Sequence, residues 1–169
     1  MNPGDLVVDV ADRELRISMV GGGDWTVPIG PVSLVENELE RSDRPSPEQL
    51  TNSLGIVTDH LDDVIRESPL VLDAPGVVFV GPHSTTLARV EVGLDDVPTG
   101  YTLERPDADE VFRTLVSEAR ADRIHNPGLD ADHVDTIIAT CCVVLAMMRR
   151  FELSSVAITT HAEADRGES

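Results

Sequence analysis

The spacing of hydrophobic positions changes several times along this chain, and each change marks an element. Leu6-Val-Val-Asp-Val10 is a short apolar run of the kind a buried strand presents. Leu15, Ile17 and Met19 alternate with polar residues, as do Trp25, Val27 and Ile29, which predicts two further strands. Gly21-Gly-Gly-Asp24 between them predicts a hairpin turn, so the chain opens as a three-stranded meander. The period then becomes helical through Leu50, Leu54, Val57, Leu61, Val64 and Ile65. Ser46-Pro-Glu-Gln49 ahead of that run is a capping box with proline at the first helical position. Gly76-Val-Val-Phe-Val-Gly81 reads as a fourth strand ended by Pro82, and a short helix carrying Leu87 is expected from near Ser84. Pro106, Asp107 and Glu110 open another helix, with Val111, Phe112, Leu115 and Val116 turned inward.

Residues 130 to 151 form the most informative segment. Asp130 is placed to cap a helix whose apolar positions are Val134, Ile137, Ile138, Cys141, Val144, Leu145 and Met148. Cys142 and Met147 widen that stripe until little polar face remains, which predicts a helix covered on several sides. Arg149 and Arg150 fall in its last turn, where cations suit the helix dipole. Its apolar run, 137 to 148 with Thr140 inside, is too short to cross a bilayer. A strand over Val156–Thr159 follows, and the polar tail 161–169, beginning at His161, is expected to be disordered. The mixed, acidic first 15 residues do not read as a signal peptide, so a soluble, cytoplasmic protein is expected.

Charge narrows the partners. The net charge is −18, from 31 acidic residues against 13 basic ones, and all 13 are arginine. An acid-rich, lysine-free composition fits a halophile's potassium-rich cytoplasm. There the Debye length shrinks to roughly 3 Å at 1 M salt and self-repulsion costs little. A surface for one basic partner fits less well, because the acids are spread along the whole chain. The balance also argues against generic nucleic-acid binding, which needs clustered cations. Any phosphate site must therefore be local. Cys141 and Cys142 are adjacent on the predicted helix and point about 100° apart, which suits two buried thiols rather than a disulfide. No histidine or cysteine spacing matches a zinc site.

Three strands, a helix, a strand, further helices and a last strand make one α/β domain over residues 1–160. The order fits a ribonuclease-H-like single lobe of the actin/Hsp70/sugar-kinase type, a β-meander followed by alternating helices and strands. Four segments then resemble the second lobe of the exopolyphosphatase / guanosine-pentaphosphate phosphatase (Ppx/GppA) family. Leu6 to Val10 with Asp9, then Glu14-Leu15, resembles D-I-G-G-G-S-T-E-L. Val27-Pro-Ile-Gly-Pro-Val-Ser-Leu34 resembles L-P-L-G-A-V-R-L, and Phe79 to Ala88 resembles G-V-G-G-T-A-T-T-L-A. Asn126-Pro-Gly-Leu-Asp130 and the helix after it resemble L-P-G-L-D and the family's apolar helix.

The resemblance implies a two-lobed enzyme that binds polyphosphate or a guanosine polyphosphate between its lobes, with magnesium. Glycine-rich loops of both lobes would cradle phosphates, and a glutamate of the first lobe would position water. It covers residues 5 to 160, the second lobe alone. Within that lobe the first loop is shortened to Val10-Ala-Asp-Arg13, and Asp12 adds a repelling charge that Arg13 could offset. In the second loop Gly81 stays, while Pro82 and His83 replace glycine and threonine and Pro82 removes one N–H donor. Candidate phosphate-binding residues are Gly81, Ser84, Thr85 and Thr86, and the candidate metal-side carboxylate is Asp9. Two alternatives stay open: Asp9 as a strand-end acid bonded to the next turn, and Ser84 to Thr86 as a plain helix cap.

His83 has no evident partner as a general base. His133, where the family tends to have arginine, reads as a surface helix residue. Trp25 and Tyr101 read as core or edge residues. The expected function is a lone lobe, non-catalytic by itself, acting as a binding or interaction module. It would form a homodimer or bind a protein that covers the lobe interface. The alternative is a magnesium-dependent phosphoanhydride hydrolase acting on polyphosphate or pppGpp, its missing lobe supplied by a partner chain. Neither nucleic acid nor membrane is an expected partner.

Overall fold

In the computed structural model, which describes residues 1–159, the meander forms as its alternation predicts. β1 (Leu6–Val10) pairs antiparallel with β2 (Leu15–Met19), and β2 with β3 (Asp24–Val27). Leu6, Val8 and Val10 face the core from β1, with Leu15 and Ile17 beside them. Ile29 is buried too, but it lies beyond β3, in the approach to a short helix α1 (Pro31–Glu36). Next comes α2 (Pro47–Glu67), opened by the expected capping box: Ser46 Oγ accepts from Gln49 N and Gln49 Oε1 accepts from Ser46 N. Val57, Leu61, Val64 and Ile65 are its buried stripe.

β4 (Val77–Val80) is buried on both faces, as a central strand must be. α3 (Pro82–Val92) starts two residues before the expected Ser84. Proline is pre-set for a first helical turn, so Pro82 opens the helix and its missing N–H falls where no helical partner exists. β5 (Thr102–Glu104) and α4 (Arg105–Ser117) follow, then α5 (Arg120–Arg123). Ala108 and Leu115 are the buried residues of α4, while Val111, Phe112 and Val116 pack half-buried against the core. Asp130 caps a 3₁₀ turn, Ala131–His133, rather than the long helix. That helix, α6 (Ile137–Arg150), begins after Thr136, and β6 (Ser155–Ile158) follows it. The expected tail, 161–169, lies outside the described residues.

All six strands share one sheet in the order β3-β2-β1-β4-β6-β5. β1, β4 and β6 are mutually parallel, and β2, β3 and β5 are antiparallel to their neighbours. This is an α/β fold of the expected class. Every residue of α6 from Ile137 to Met148 is buried, and α1, α2, α3 and α4 all pack against it. Cys141 and Cys142 are free thiols inside it, and burial pushes Cys142 up to about 12. Tyr101 is buried, its hydroxyl donating to Glu91 at 2.7 Å, and Trp25 lies half-buried at the sheet edge. Among the described residues no helix is long and apolar enough to cross a membrane.

Close packing makes α6 the costly place to cut. Leu145→Ala, at a site 1% exposed, should lower unfolding free energy by about 2–5 kcal/mol in denaturant titration. Leu70→Ala, at a site 68% exposed, should change it by no more than about 0.5 kcal/mol. Equal effects at the two sites would contradict this packing.

Candidate functional site

Parallel pairing sets Asp9 of β1 opposite Val80 of β4, so both strands end at the same edge of the sheet. Open α/β sheets bind ligands outside such carboxyl ends. Two connections meet there, the β1–β2 turn and the junction from β4 into α3. The turn is closed by Ala11 N donating to Glu14 O at 3.0 Å, and Val32 N of α1 donates to Asp12 O at 2.8 Å. Gly30 makes that approach possible, because a Cβ there would lie 2.5 Å from Ala11 O and 2.6 Å from Asp12 O. The start of α1, which sequence reading missed, is therefore what braces the turn.

The candidate residues are only partly brought together. Gly81 and Asp9 are in close contact: Gly81 has φ +100, and a Cβ on it would sit 2.8 Å from Asp9 Oδ1 and 3.1 Å from Val10 O. Asp9 remains 30% exposed and lies 3.9 Å from Arg16. The hydroxyls behave differently. Thr85 Oγ1 donates back to Gly81 O at 3.0 Å. Thr86 is buried and hydrogen-bonded to His133 Nδ1 at 2.6 Å. Ser84 is fully buried, and its Oγ has no hydrogen-bond partner among the described residues. Since Thr85 N already bonds Gly81 O, the N–H groups of His83 and Ser84 are the donors α3 leaves at its start.

Two expectations are corrected here. His83 does have a partner: its Nε2–H donates to Asp12 Oδ1 at 2.7 Å, across 71 residues of sequence. His133 is no plain surface residue, since its ring lies 4.6 Å from that of His83, tilted by 39°. No local motif signals either contact. The only available clue is that Asp12 and His83 each follow one of two strands that become parallel neighbours. Nδ1 of His83 is buried and has no hydrogen-bond partner among the described residues. The side chain of His83 is 5% exposed and that of Asp12 72% exposed. A base must reach its proton, so this buried imidazole behind an exposed carboxylate is the reverse of a catalytic dyad. Burial, then the neighbouring His83 ring, hold the pKa of His133 below its ordinary value, against Asp130, Asp132 and Asp12.

The arginines at this mouth are committed to carboxylates. Arg13 makes two hydrogen bonds to Glu36, at 2.9 and 2.7 Å, and Arg16 binds Glu14 at 2.8 Å. The bonds to Arg13 hold Glu36 below the usual carboxylate range, while the same pairing raises Arg13. Magnesium is usually held by one or two carboxylates together with substrate phosphates. Here Asp12 is engaged by His83, and no three His, Cys, Asp or Glu side chains among the described residues converge as a metal site. The residues do not make a magnesium site by themselves, and no step is derived through one.

No protein-family model and no curated protein matches the chain. Solved structures do. An exopolyphosphatase-like protein superposes with a TM-score of 0.81 at 22% identity, covering 99% of this chain and 61% of its own. The Aquifex aeolicus PPX-GPPA enzyme gives 0.80 at 19%, covering 94% and 54%. An exopolyphosphatase from Cytophaga hutchinsonii gives 0.77 at 14%, with the same coverage of 94% and 54%. This chain has the Ppx/GppA fold. That fold is of the actin-like ATPase type, and the chain spans little more than half the length of the solved proteins it matches.

Two measurements check this geometry. Unfolded His133 takes up a proton near pH 6.5. Folded His133 does so only at lower pH, so the unfolded state binds more protons in between. Stability should therefore fall as pH drops below about 6.5, until folded His133 also protonates. His133→Asn should flatten that part of the profile in urea titrations at pH 7.5 and 5.5, and an unchanged slope would contradict the buried pair. Gly81→Ala should cost about 1–3 kcal/mol in the same assay, from its positive φ and the contact with Asp9.

Proposed function

We propose that this chain is a binding or interaction module on a Ppx/GppA fold, and that it is not by itself a phosphoanhydride hydrolase. The observation that supports this best is the bond between Asp12 and His83. It fixes a carboxylate between the β1–β2 turn and the start of α3, where a phosphate cradled by both loops would have to sit. A phosphate there would meet that charge at close range, with Ser84 and Thr86 buried and Arg13 and Arg16 already paired. Phosphoryl transfer depends on positioning and on cations that neutralise developing charge, and this mouth offers few of either.

Among the described residues, the surface offers a homodimer or protein partner no single broad apolar face. The exposed large apolar side chains, Met1, Leu70, Leu72, Leu94 and Ile124, come from four separate segments. A partner, or a second copy, would meet mostly charge. That acid-rich surface supports work in concentrated potassium chloride. A second reading is a hydrolase completed by another lobe. It is favoured by the contact of Asp9 with Gly81 and by the solved proteins being longer than this chain.

Orthophosphate release decides between the readings. The protein would be incubated with polyphosphate or guanosine pentaphosphate and magnesium, both at low salt and at about 2–3 M KCl, where surface charge is screened. The expected result is no release above the protein-free rate. Release more than about tenfold above it, a barrier lowered by about 1.4 kcal/mol, would overturn the proposal. Release that appears only when a separate first-lobe chain is added would establish the second reading.

A further inference from the structure

β3 is one edge of the sheet, and its ladder shows which backbone groups that edge leaves free. Met19 N donates to Gly23 O at 2.9 Å, so Met19 and Gly23 are a hydrogen-bonded pair between β2 and β3. Such pairs recur at every second residue, so Ile17 with Trp25 and Leu15 with Val27 also bond inward. The N–H and C=O groups of Asp24 and Thr26 therefore point away from β2, and both residues are exposed. Among the described residues no backbone bond from either reaches another element. β5, the opposite edge, has three residues and runs straight into α4, which leaves less strand to pair.

The two faces of β3 differ. Side chains opposed in an antiparallel pair share a face. Ile17 and Leu15 are buried, so Trp25 and Val27 lie on the core face, where α2 packs. Asp24 and Thr26 lie on the exposed face, opposite Ser18 and Arg16. Between β3 and α2 is a cavity of about 450 Å³, with Trp25 on one side and His60, Asp63 and Glu67 of α2 on the other. Gly23 leaves room for the indole along the strand, since a Cβ there would lie 2.9 Å from Trp25 Cη2. Asp24 also lines the cavity. Asp24 and Glu67 make no ion pair among the described residues, while Asp63 pairs with Arg66 of its own helix. Arg16, across from Thr26, is held by Glu14. Three carboxylates against Arg66 leave this place negative, with an aromatic ring at its side.

We propose that the open edge of β3 and the cavity beside it form a docking surface for an extended segment of a partner protein, one that carries arginine or lysine. The segment adds a strand outside β3 and bonds to the backbone of Asp24 and Thr26. Its side chains alternate between faces, so a cation on the α2 side reaches the Trp25 ring with Glu67 and Asp63 alongside. A second copy of this chain fits poorly, because it carries a net charge of −18 and brings Asp24 on its own edge. The acids are spread along the whole chain, so charge alone selects no face; the open backbone groups and the indole do. This surface rests on the reading of the chain as an interaction module. Orthophosphate release would overturn that reading, whereas a segment that fails to bind overturns this surface alone.

Two blocked peptides, acetyl-Thr-Val-Arg-Val-Thr-amide and the same sequence with glutamate for arginine, would be titrated into the ¹⁵N-labelled full chain. In about 1 M KCl the Debye length is roughly 3 Å, which removes long-range attraction to the acidic surface. The arginine peptide should shift the amides of Asp24 to Val27 and the Trp25 indole N–H saturably, with a Kd below about 1 mM. At saturation, hydrogen exchange of the outward Thr26 N–H should slow at least about tenfold. Thr26→Pro removes only that outward N–H, which an edge strand tolerates, and should weaken binding at least about tenfold. Glu67→Gln, at an exposed position, should weaken it at least about threefold. No saturable shift up to about 10 mM peptide would overturn the proposal, as would equal affinity for the glutamate peptide. Shifts at Trp25 with unchanged Thr26 exchange would also overturn it, since the cavity would then hold a cation without strand pairing. Should the proline variant fail to fold, Thr26 exchange in the wild-type chain decides.

Discussion

The burial of α6 on all sides is the constraint on which the rest of this structure depends. A helix with no polar face from Ile137 to Met148 cannot lie on a surface, so four other helices must pack against it. α1 is six residues long and α3 eleven, too short to be stable alone in water. Their positions therefore come from α6 and the sheet. This explains how a chain of this length and net charge −18 still holds a defined interior. The apolar contacts are concentrated in one central column, and the acids lie around it.

That packing also sets the geometry of the mouth. α3 leaves the end of β4 and packs on α6, and the segment leading into α6 passes beside α3. His133 lies on that segment and is hydrogen-bonded to Thr86 one turn inside α3, which places its ring against His83. His83 in turn holds Asp12 of the β1–β2 turn. A continuous set of contacts thus runs from the approach to α6 to the β1–β2 turn. Substituting any member disturbs the packing of α3 as well as the chemistry of the mouth. The cluster forms a seam that joins α3, the approach to α6 and the β1–β2 turn.

Much of this was legible in the sequence, for physical reasons. Strong periodicity and local caps are encoded within a few residues, so the meander, α2, β4 and the interior of α6 could be read directly. α1 could not, because Val27-Pro-Ile-Gly-Pro-Val-Ser-Leu carries no helical period and the six-residue helix depends on its contact with the β1–β2 turn. β5 has three residues and becomes a strand only because β6 pairs with it. Asp130 looked like the cap of α6 because a capping residue signals a start without saying how long the turn will be. Asp9 and Gly81 were each legible as candidate residues through the motifs around them, but their contact appears only in the folded sheet. Asp12 with His83 and His133 with Thr86 were not, since pairs separated by 71 and 47 residues exist only once the sheet and α6 are assembled.

The distribution of charge differs between two places in the molecule, the mouth at the end of β1 and β4 and the surroundings of Arg123. At the end of β1 and β4, the exposed carboxylate of Asp12 stands in front of the α3 donors, and the nearby arginines face outward to glutamates. Around Arg123 the order is reversed: the cation is inside, its carboxylates sit on the rim, and one guanidinium N–H has nothing to bind. Salt distinguishes these arrangements. Concentrated potassium chloride screens the exposed Asp12 charge, but it cannot restore an acceptor to a donor sealed in the interior. Ionic strength therefore relieves the first place without a specific ligand. At the second, the buried N–H stays unpaired at any salt concentration, a cost that the packing around Arg123 carries.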